Sequence, residues 1–202
     1  MLDLIDQINR TMTDLGPSKQ VRLARTYDTT AEDLWNACTD PQRLSRWFEP
    51  VGGELREGGR YRLDGSGTTG TVEECVAPTR LRVTWEYGDD TSVVEVTITG
   101  TEGGATLELT HTVPDNEHWR TYGPGATGVG WETSFLAVGL YLSGDGRATP
   151  AELEKLLSTP EGAEYIRRAA SAWGDAHATA GTDPATARTV ADRVAGFYTG
   201  AE

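Results

Sequence analysis

The chain has 202 residues, of which 37% are hydrophobic and 24% charged, a composition typical of a globular protein and not of a disordered one. Its formal net charge of −13 disfavours binding to nucleic acid or to anionic membranes, because both attract clusters of Lys and Arg. The sequence has no apolar run of about 18 residues, and its N-terminus is acidic where a signal peptide is basic. We therefore predict a cytoplasmic protein that does not enter a membrane.

The first 15 residues carry apolar side chains at helical spacing, namely Met1, Ile5, Ile8, Met12 and Leu15. The pattern predicts an amphipathic helix that ends at Gly16-Pro17. Such an apolar stripe packs either on the surface of its own domain or on a second copy of the chain. Monomer and homodimer therefore stay open as alternatives.

Residues 21–27 alternate apolar and polar side chains and predict the first strand. Thr29 and Glu32 have the spacing of a capping box for a helix at 31–38, and Asp40-Pro41 begins a second short helix. Further strands are predicted at 59–64, 69–77, 80–87, 92–100 and 105–113. Their short connections, most of them containing Gly or Pro, favour an antiparallel meander over parallel crossovers.

Residues 128–142 are predicted to form a helix that is apolar on nearly all sides and must be covered on nearly all sides. The sheet covers one side, and three predicted helices with proline at the first position cover the other, at 150–157, 160–180 and 184–198. We therefore divide the chain into an N-terminal helix (1–17), a central domain (18–145) and a C-terminal helical extension (146–202) packed on it. The Gly-rich segment 122–130 matches no phosphate-binding motif and is predicted to be a gate or a loop.

Several short motifs occur in a fixed order between residues 20 and 142. They are Arg25-x-Tyr27, Glu32-x-x-Trp35-x-Ala37, Thr39-Asp40-Pro41, Leu44-x-x-Trp47-Phe48, Gly52-Gly53, Gly70-Thr71-Val72-x-Glu74, Pro78-x-x-Leu81, Trp85, Leu107-x-Leu109-x-His111 and Gly130-Trp131. The ordered set resembles the START-like, or SRPBCC, superfamily, and within it the bacterial branch similar to the activator of the heat-shock-protein ATPase.

The resemblance implies an α+β helix-grip fold, in which a curved antiparallel sheet wraps around a long C-terminal helix and leaves a cavity between them. It also implies the binding or processing of apolar small molecules, since some relatives are polyketide cyclases or lipid carriers. The chaperone activators that give the family its name carry a separate client-binding domain. This sequence has no counterpart of that domain, so the name is not taken as the function.

The resemblance and the strand alternation together nominate a ligand-binding lining: Trp47, Phe48, Tyr61, Trp85, Tyr87, His111, Trp119, Trp131 and Phe135. Trp85 on the sheet and Trp131 on the helix are expected to face each other across the cavity. The alternative is that these side chains fill a solid core. Aromatic side chains with polar tips suit an apolar ligand that also makes a few fixed polar contacts.

His111 is the only histidine predicted to point inward, either as a hydrogen-bonded core residue or as a general base. The other histidines, His118 and His177, lack the spacing of metal ligands, and we predict neither a metal nor a cofactor. Cys38 and Cys75 form no metal motif and are predicted to be reduced and largely buried.

Three functions are compatible with such a cavity. The first is noncatalytic binding of an apolar or aromatic small molecule. The second is an enzyme of the cyclase, dehydratase or hydrolase type, with His111, Tyr87 or Glu132 in acid–base roles, where Glu132 points either into the cavity mouth or into solvent. The third is a chaperone-type protein-interaction module. A carboxylate paired with His111 would favour the enzyme, and a filled interior with an exposed apolar groove would favour the interaction module.

Overall fold

The computed structural model describes residues 1–200, which form one antiparallel sheet and a set of helices. The strands are β1 (Asn9–Asp14), β2 (Ser18–Tyr27), β3 (Val51–Gly53), β4 (Arg60–Leu63), β5 (Thr69–Val76), β6 (Arg80–Tyr87), β7 (Asp90–Thr101) and β8 (Gly104–Pro114). The α-helices are α1 (Ala31–Thr39), α2 (Pro41–Leu44), α3 (Glu117–Leu142), α4 (Pro150–Leu157), α5 (Pro160–Thr179) and α6 (Pro184–Thr199). Short 3₁₀ helices lie at Leu2–Gln7 and Gly146–Ala148.

The eight strands are ordered β1-β2-β8-β7-β6-β5-β4-β3 in a single antiparallel sheet, with α3 packed against β2. This arrangement is the predicted α+β helix-grip fold, which is confirmed. The turn between β7 and β8 depends on Gly104, whose φ of +141° is rare for other residues. A Cβ at this position would lie 2.1 Å from the carbonyl oxygen of Tyr27, so the turn also needs glycine for space.

The predicted N-terminal helix over residues 1–15 is wrong, because β1 occupies its second half and pairs with β2. In β1 the half-buried residues are Arg10 and Met12, which alternate as a strand requires. Without β1, the strand β2 would be an edge with unpaired backbone groups, and strand addition satisfies them. Leu15, which the helical pattern placed on the apolar stripe, is 47% exposed.

The Gly-rich segment 122–130 is neither a gate nor a loop, because it belongs to α3. The helix is interrupted at Gly123, with φ 56° and ψ −156°, and continues from Pro124. Glycines on its outer surface let the C-terminal helices approach closely. A Cβ on Gly128 would lie 2.1 Å from Trp173 of α5, and one on Gly125 would lie 3.2 Å from Val194 of α6.

The C-terminal helices α5 and α6 pack on α3, on each other and, for α5, on β1. Trp173 and Tyr165 of α5 are both fully buried, and Tyr165 donates a hydrogen bond to the Glu132 carbonyl at 3.1 Å. The predicted extension ran to residue 202, and its last two residues lie outside the described part of the chain. In the described residues, no helix is at once long and apolar enough to cross a membrane.

Candidate functional site

An apolar cavity of about 190 Å³ lies between the sheet and α3. We call it the inner cavity. It is lined by Cys38, Thr39, Leu44, Trp47, Phe48, Val51, Leu55, Tyr61, Leu63, Val72, Cys75, Leu81, Val83, Trp85, Val94, Val96, Leu107, Leu109, Trp131, Ser134 and Phe135. Among residues 1–200 this lining includes no charged side chain. Leu55 is 43% exposed and Cys75 is also exposed, so the cavity reaches the surface where these two residues meet it.

Strand alternation supplies most of the cavity wall, because every second side chain of β6, β7 and β8 faces the same way. A β-bulge changes this alternation in β5, where the register shifts between Val72 and Glu74. Val72 pairs with Val83, but Cys75 pairs with Leu81, and all four side chains line the cavity. Strict alternation would put Cys75 on the opposite face from Val72, and the bulge turns it towards the cavity instead.

Tyr61 forms one side of the inner cavity, and its hydroxyl group is hydrogen-bonded. Its hydroxyl donates to the Thr84 carbonyl at 2.7 Å, and its ring lies over Gly70. A Cβ on Gly70 would lie 2.5 Å from the Tyr61 ring and 2.0 Å from the Thr84 carbonyl oxygen, so only glycine fits there. Burial raises the pKa of Tyr61, and the phenol is therefore a neutral group of the wall.

A second cavity, of about 420 Å³, lies beside the first one and is more polar. We call it the vestibule. It is lined by Phe48, Glu49, Ser66, Thr68, Trp85, Tyr87, Asp90, Ser92, His111, Val113, Pro114, Asn116, His118, Trp119, Ala126, Thr127, Gly130, Trp131 and Ser134. Tyr87 is 65% exposed, and Asp90 and His118 are also exposed, so these residues form the outer rim of the vestibule.

Three aromatic rings separate the inner cavity from the vestibule. Phe48, Trp85 and Trp131 line both cavities, and we call them the aromatic partition. Phe48 stacks on Trp131 with ring centroids 6.2 Å apart, and Trp85 meets Trp131 edge-on at 5.3 Å. The two tryptophans were expected to face each other across open space. They are in contact instead, and with Ser134, which also lines both cavities, they mark the boundary between the two.

His111 is buried behind the partition, and both of its ring nitrogens are engaged. Trp131 Nε1 lies 3.0 Å from Nδ1, and since an indole N–H can only donate, Nδ1 is the acceptor. The proton is therefore on Nε2, which donates to Ser92 Oγ at 2.8 Å, and Ser92 donates to the Trp85 carbonyl at 3.1 Å. Burial lowers the pKa of His111 to about 4, so the imidazole is neutral at neutral pH.

Ser92 was not among the predicted site residues, although the sequence contained a signal for it. The turn after Tyr87 is formed by Gly88 and Asp89, and it pairs Tyr87 with Asp90. Counting back along this hairpin places Ser92 opposite Trp85. A residue paired with a cavity-lining tryptophan was therefore a candidate for the same site.

Glu132 lines neither cavity, and its side chain is fully buried in an ion pair with Arg10 of β1. Arg10 Nε lies 2.6 Å from Oε1 and Nη2 lies 2.8 Å from Oε2. The Arg10 side chain is itself only 9% exposed, and it also donates to the Ile8 carbonyl. Both predicted positions of Glu132, the cavity mouth and solvent, are therefore wrong. Its carboxylate joins β1 to α3.

The two cysteines do not share one environment. Cys38 is partly covered and lines the inner cavity, and burial raises the pKa of its thiol to about 12. Cys75 is exposed, so its predicted burial is wrong. Within residues 1–200, no group of three or more His, Cys, Asp or Glu side chains is placed to hold a metal ion.

All nine predicted site residues line one of the two cavities, but they divide between them. Trp47, Tyr61 and Phe135 line the inner cavity, whereas Tyr87, His111 and Trp119 line the vestibule. The remaining three form the aromatic partition. The sequence therefore predicted one lining where the structure has two compartments.

The chain is similar to solved structures over most of its length. The crystal structure of CalU16 from Micromonospora echinospora has 27% sequence identity, covers 84% of this chain and 97% of its own, and gives a TM-score of 0.66. The solution structure of CalU16 gives 28% identity, 86% and 96% coverage, and a TM-score of 0.71. A Rhodobacter sphaeroides protein, with 22% identity, 68% and 98% coverage and a TM-score of 0.56, shares the fold.

No match is found among curated proteins. Residues 28–138 match the family model described as "Activator of Hsp90 ATPase homolog 1-like protein". This segment is more than half of the chain and contains the motifs from Glu32 to Trp131. The protein therefore belongs to the activator of Hsp90 ATPase homolog 1-like family of the START-like superfamily, as its sequence motifs indicate.

Proposed function

We propose that this protein binds an apolar or aromatic small molecule in the inner cavity. The observation that carries the proposal is a cavity of about 190 Å³ whose lining, in the described chain, has no charged side chain. An apolar cavity of about 150 Å³ is large enough to bind benzene. The inner cavity is therefore of a size to accept at least one aromatic ring, and Trp47, Tyr61 and Phe135 offer surfaces for it.

The geometry of His111 supports binding over catalysis. A general base needs a free nitrogen beside the substrate, but Nδ1 already accepts from Trp131 and Nε2 donates to Ser92. The ring is oriented by an indole and a hydroxyl, and neither of these partners is a carboxylate. Glu132, the other acid–base candidate, is held by Arg10 away from both cavities.

The proposal is tested with N-phenylnaphthylamine, a neutral dye whose emission rises in an apolar environment. We expect saturable binding to the purified protein and loss of that binding in Val96→Phe, which adds a ring to the cavity wall. Thr97→Phe is the matched control, because it places the same ring on the opposite face of β7. Native mass spectrometry of freshly purified protein tests for a ligand that co-purifies.

Equal dye binding by the wild type and Val96→Phe would place the dye outside the inner cavity and contradict the proposal. The same holds if Thr97→Phe lowers binding as much as Val96→Phe does. Thermal unfolding of each variant shows whether a loss of binding reflects a loss of folding. The proposal requires Val96→Phe to stay folded while binding is lost; if it unfolds, Leu81→Phe provides the same test from the neighbouring strand.

A further inference from the structure

The vestibule carries charge of one sign. Its lining contains the carboxylates of Glu49 and Asp90 and, within residues 1–200, neither Lys nor Arg. Glu49 accepts a hydrogen bond from the Ser66 backbone N–H at 2.7 Å, and Asp90 accepts one from the Asn116 amide at 2.8 Å. These partners are neutral, so they orient the carboxylates without neutralising them.

Two histidines line the vestibule: His118 is exposed at its rim, and the buried His111 does not supply the missing positive charge. His111 is neutral, because Trp131 occupies Nδ1 and burial opposes protonation. The chain as a whole is also negatively charged, and its net charge of −13 attracts cations to the protein surface.

Aromatic rings make up much of the remaining vestibule wall, namely Phe48, Trp85, Tyr87, Trp119 and Trp131. The face of an aromatic ring attracts an ammonium group, and this attraction grows when the group is partly shielded from water. Aromatic faces combined with uncompensated carboxylates therefore form an environment that favours an organic cation over a neutral or anionic group. On the other side of the partition, the residues of the described chain that line the inner cavity are all uncharged.

From these two compartments we propose that the ligand is an amphipathic amine, with its ammonium group in the vestibule and its apolar body in the inner cavity. This inference rests on the proposed binding function and narrows it to a chemical class. An anionic ligand would place its charge beside Glu49 and Asp90, which repel it. Such a ligand crosses the boundary at the aromatic partition, whose three rings line both cavities.

The test uses three probes with the same ring and different charges: naphthylethylamine, naphthylethanol and naphthylacetate. Isothermal titration calorimetry gives their affinities for the wild type and for Asp90→Asn, Glu49→Gln and the double variant. We expect the amine to bind about tenfold more tightly than the alcohol, and the acetate to bind most weakly. In the double variant, the affinity for the amine is expected to fall close to that for the alcohol, and the affinity for the alcohol is expected to stay unchanged.

Asp89→Asn is the matched control, since it removes the same charge from the adjacent position, which does not line the vestibule. It is expected to keep the wild-type preference for the amine. If the alcohol binds and the amine binds no more tightly, the cation inference is overturned and the proposed binding function stands. If none of the three probes binds, the binding function fails, and this inference fails with it. A preference for the amine that survives in the double variant also overturns the inference.

Discussion

Replacement of His111 with Asn should remove a pH dependence of folding stability. The pKa of His111 in the folded protein is lowered to about 4 by burial, whereas an unfolded chain has a histidine pKa of about 6.5. The unfolded state therefore binds the proton first as the pH falls, so stability is lost between about pH 6.5 and about pH 4. Between about pH 7.5 and about pH 5, these two pKa values correspond to a loss of about 2 kcal/mol in the free energy of unfolding.

The measurement is the free energy of unfolding by urea at both pH values, for the wild type and for His111→Asn. Above about pH 5 the carboxylates with lowered pKa values contribute little, since their unfolded-state pKa values are about 4. His177, whose pKa is also lowered by burial, is present in both proteins and cancels in the comparison. His118→Asn controls for the loss of one exposed imidazole. If the wild type and His111→Asn lose the same free energy between the two pH values, the neutral, buried state assigned to His111 is wrong.

Three further perturbations test the packing around α3. Glu132→Gln is expected to lower the free energy of unfolding by about 3–5 kcal/mol, because it leaves the buried Arg10 guanidinium without its carboxylate; urea denaturation checks this value. Gly128→Ala is expected to lower the free energy of unfolding by about 1–3 kcal/mol, because its Cβ would lie 2.1 Å from Trp173. The melting temperature should fall accordingly. Truncation after Leu142 is expected to expose the outer face of α3 and cause aggregation in size-exclusion chromatography. A truncated chain that stays monomeric and fully stable would contradict the predicted role of the C-terminal helices.

Local sequence signals were sufficient to predict those helices and strands whose conformation depends mainly on their own residues. Pro160 and Pro184 predicted the starts of two helices. Helices α5 and α6 begin at these prolines, and the side chains of Thr159 and Asp183 cap them. Strands β2 and β4 to β8 were predicted in the same way, from alternation between short turns. In these elements the side-chain pattern, the cap and the turn all favour the same structure.

The N-terminus shows where local signals were insufficient. Met12 fits a helical stripe with Ile5 and Ile8, but it also fits a strand with Arg10, and the sequence pattern alone does not choose between them. The choice depends on two contacts outside the segment: the edge of the following strand β2, and the buried Glu132 carboxylate, which lies 122 positions from Arg10. A long-range ion pair of this kind has no periodic signature.

The Gly-rich part of α3 was misjudged for a related reason. Glycine lowers helix propensity, so a cluster of glycines favours a loop as long as only local preferences count. Here the packing of α5 and α6 compensates for this cost, because Trp173 and Val194 occupy the space that side chains at Gly128 and Gly125 would fill. The glycines therefore mark a helix–helix contact, which local helix preferences do not predict.

The rings of the aromatic partition are not all held in place equally strongly. Moving Trp131 breaks its hydrogen bond to His111 and leaves a buried acceptor unpaired, which costs about 1–3 kcal/mol. Phe48 has no hydrogen-bonding group, is only partly buried and lies just after the four-residue helix α2, so its displacement breaks only packing contacts. A ligand that reaches from the inner cavity into the vestibule is therefore expected to displace Phe48 rather than Trp131. On this argument, Trp131 and His111 form the fixed side of the passage, and Phe48 forms its movable side.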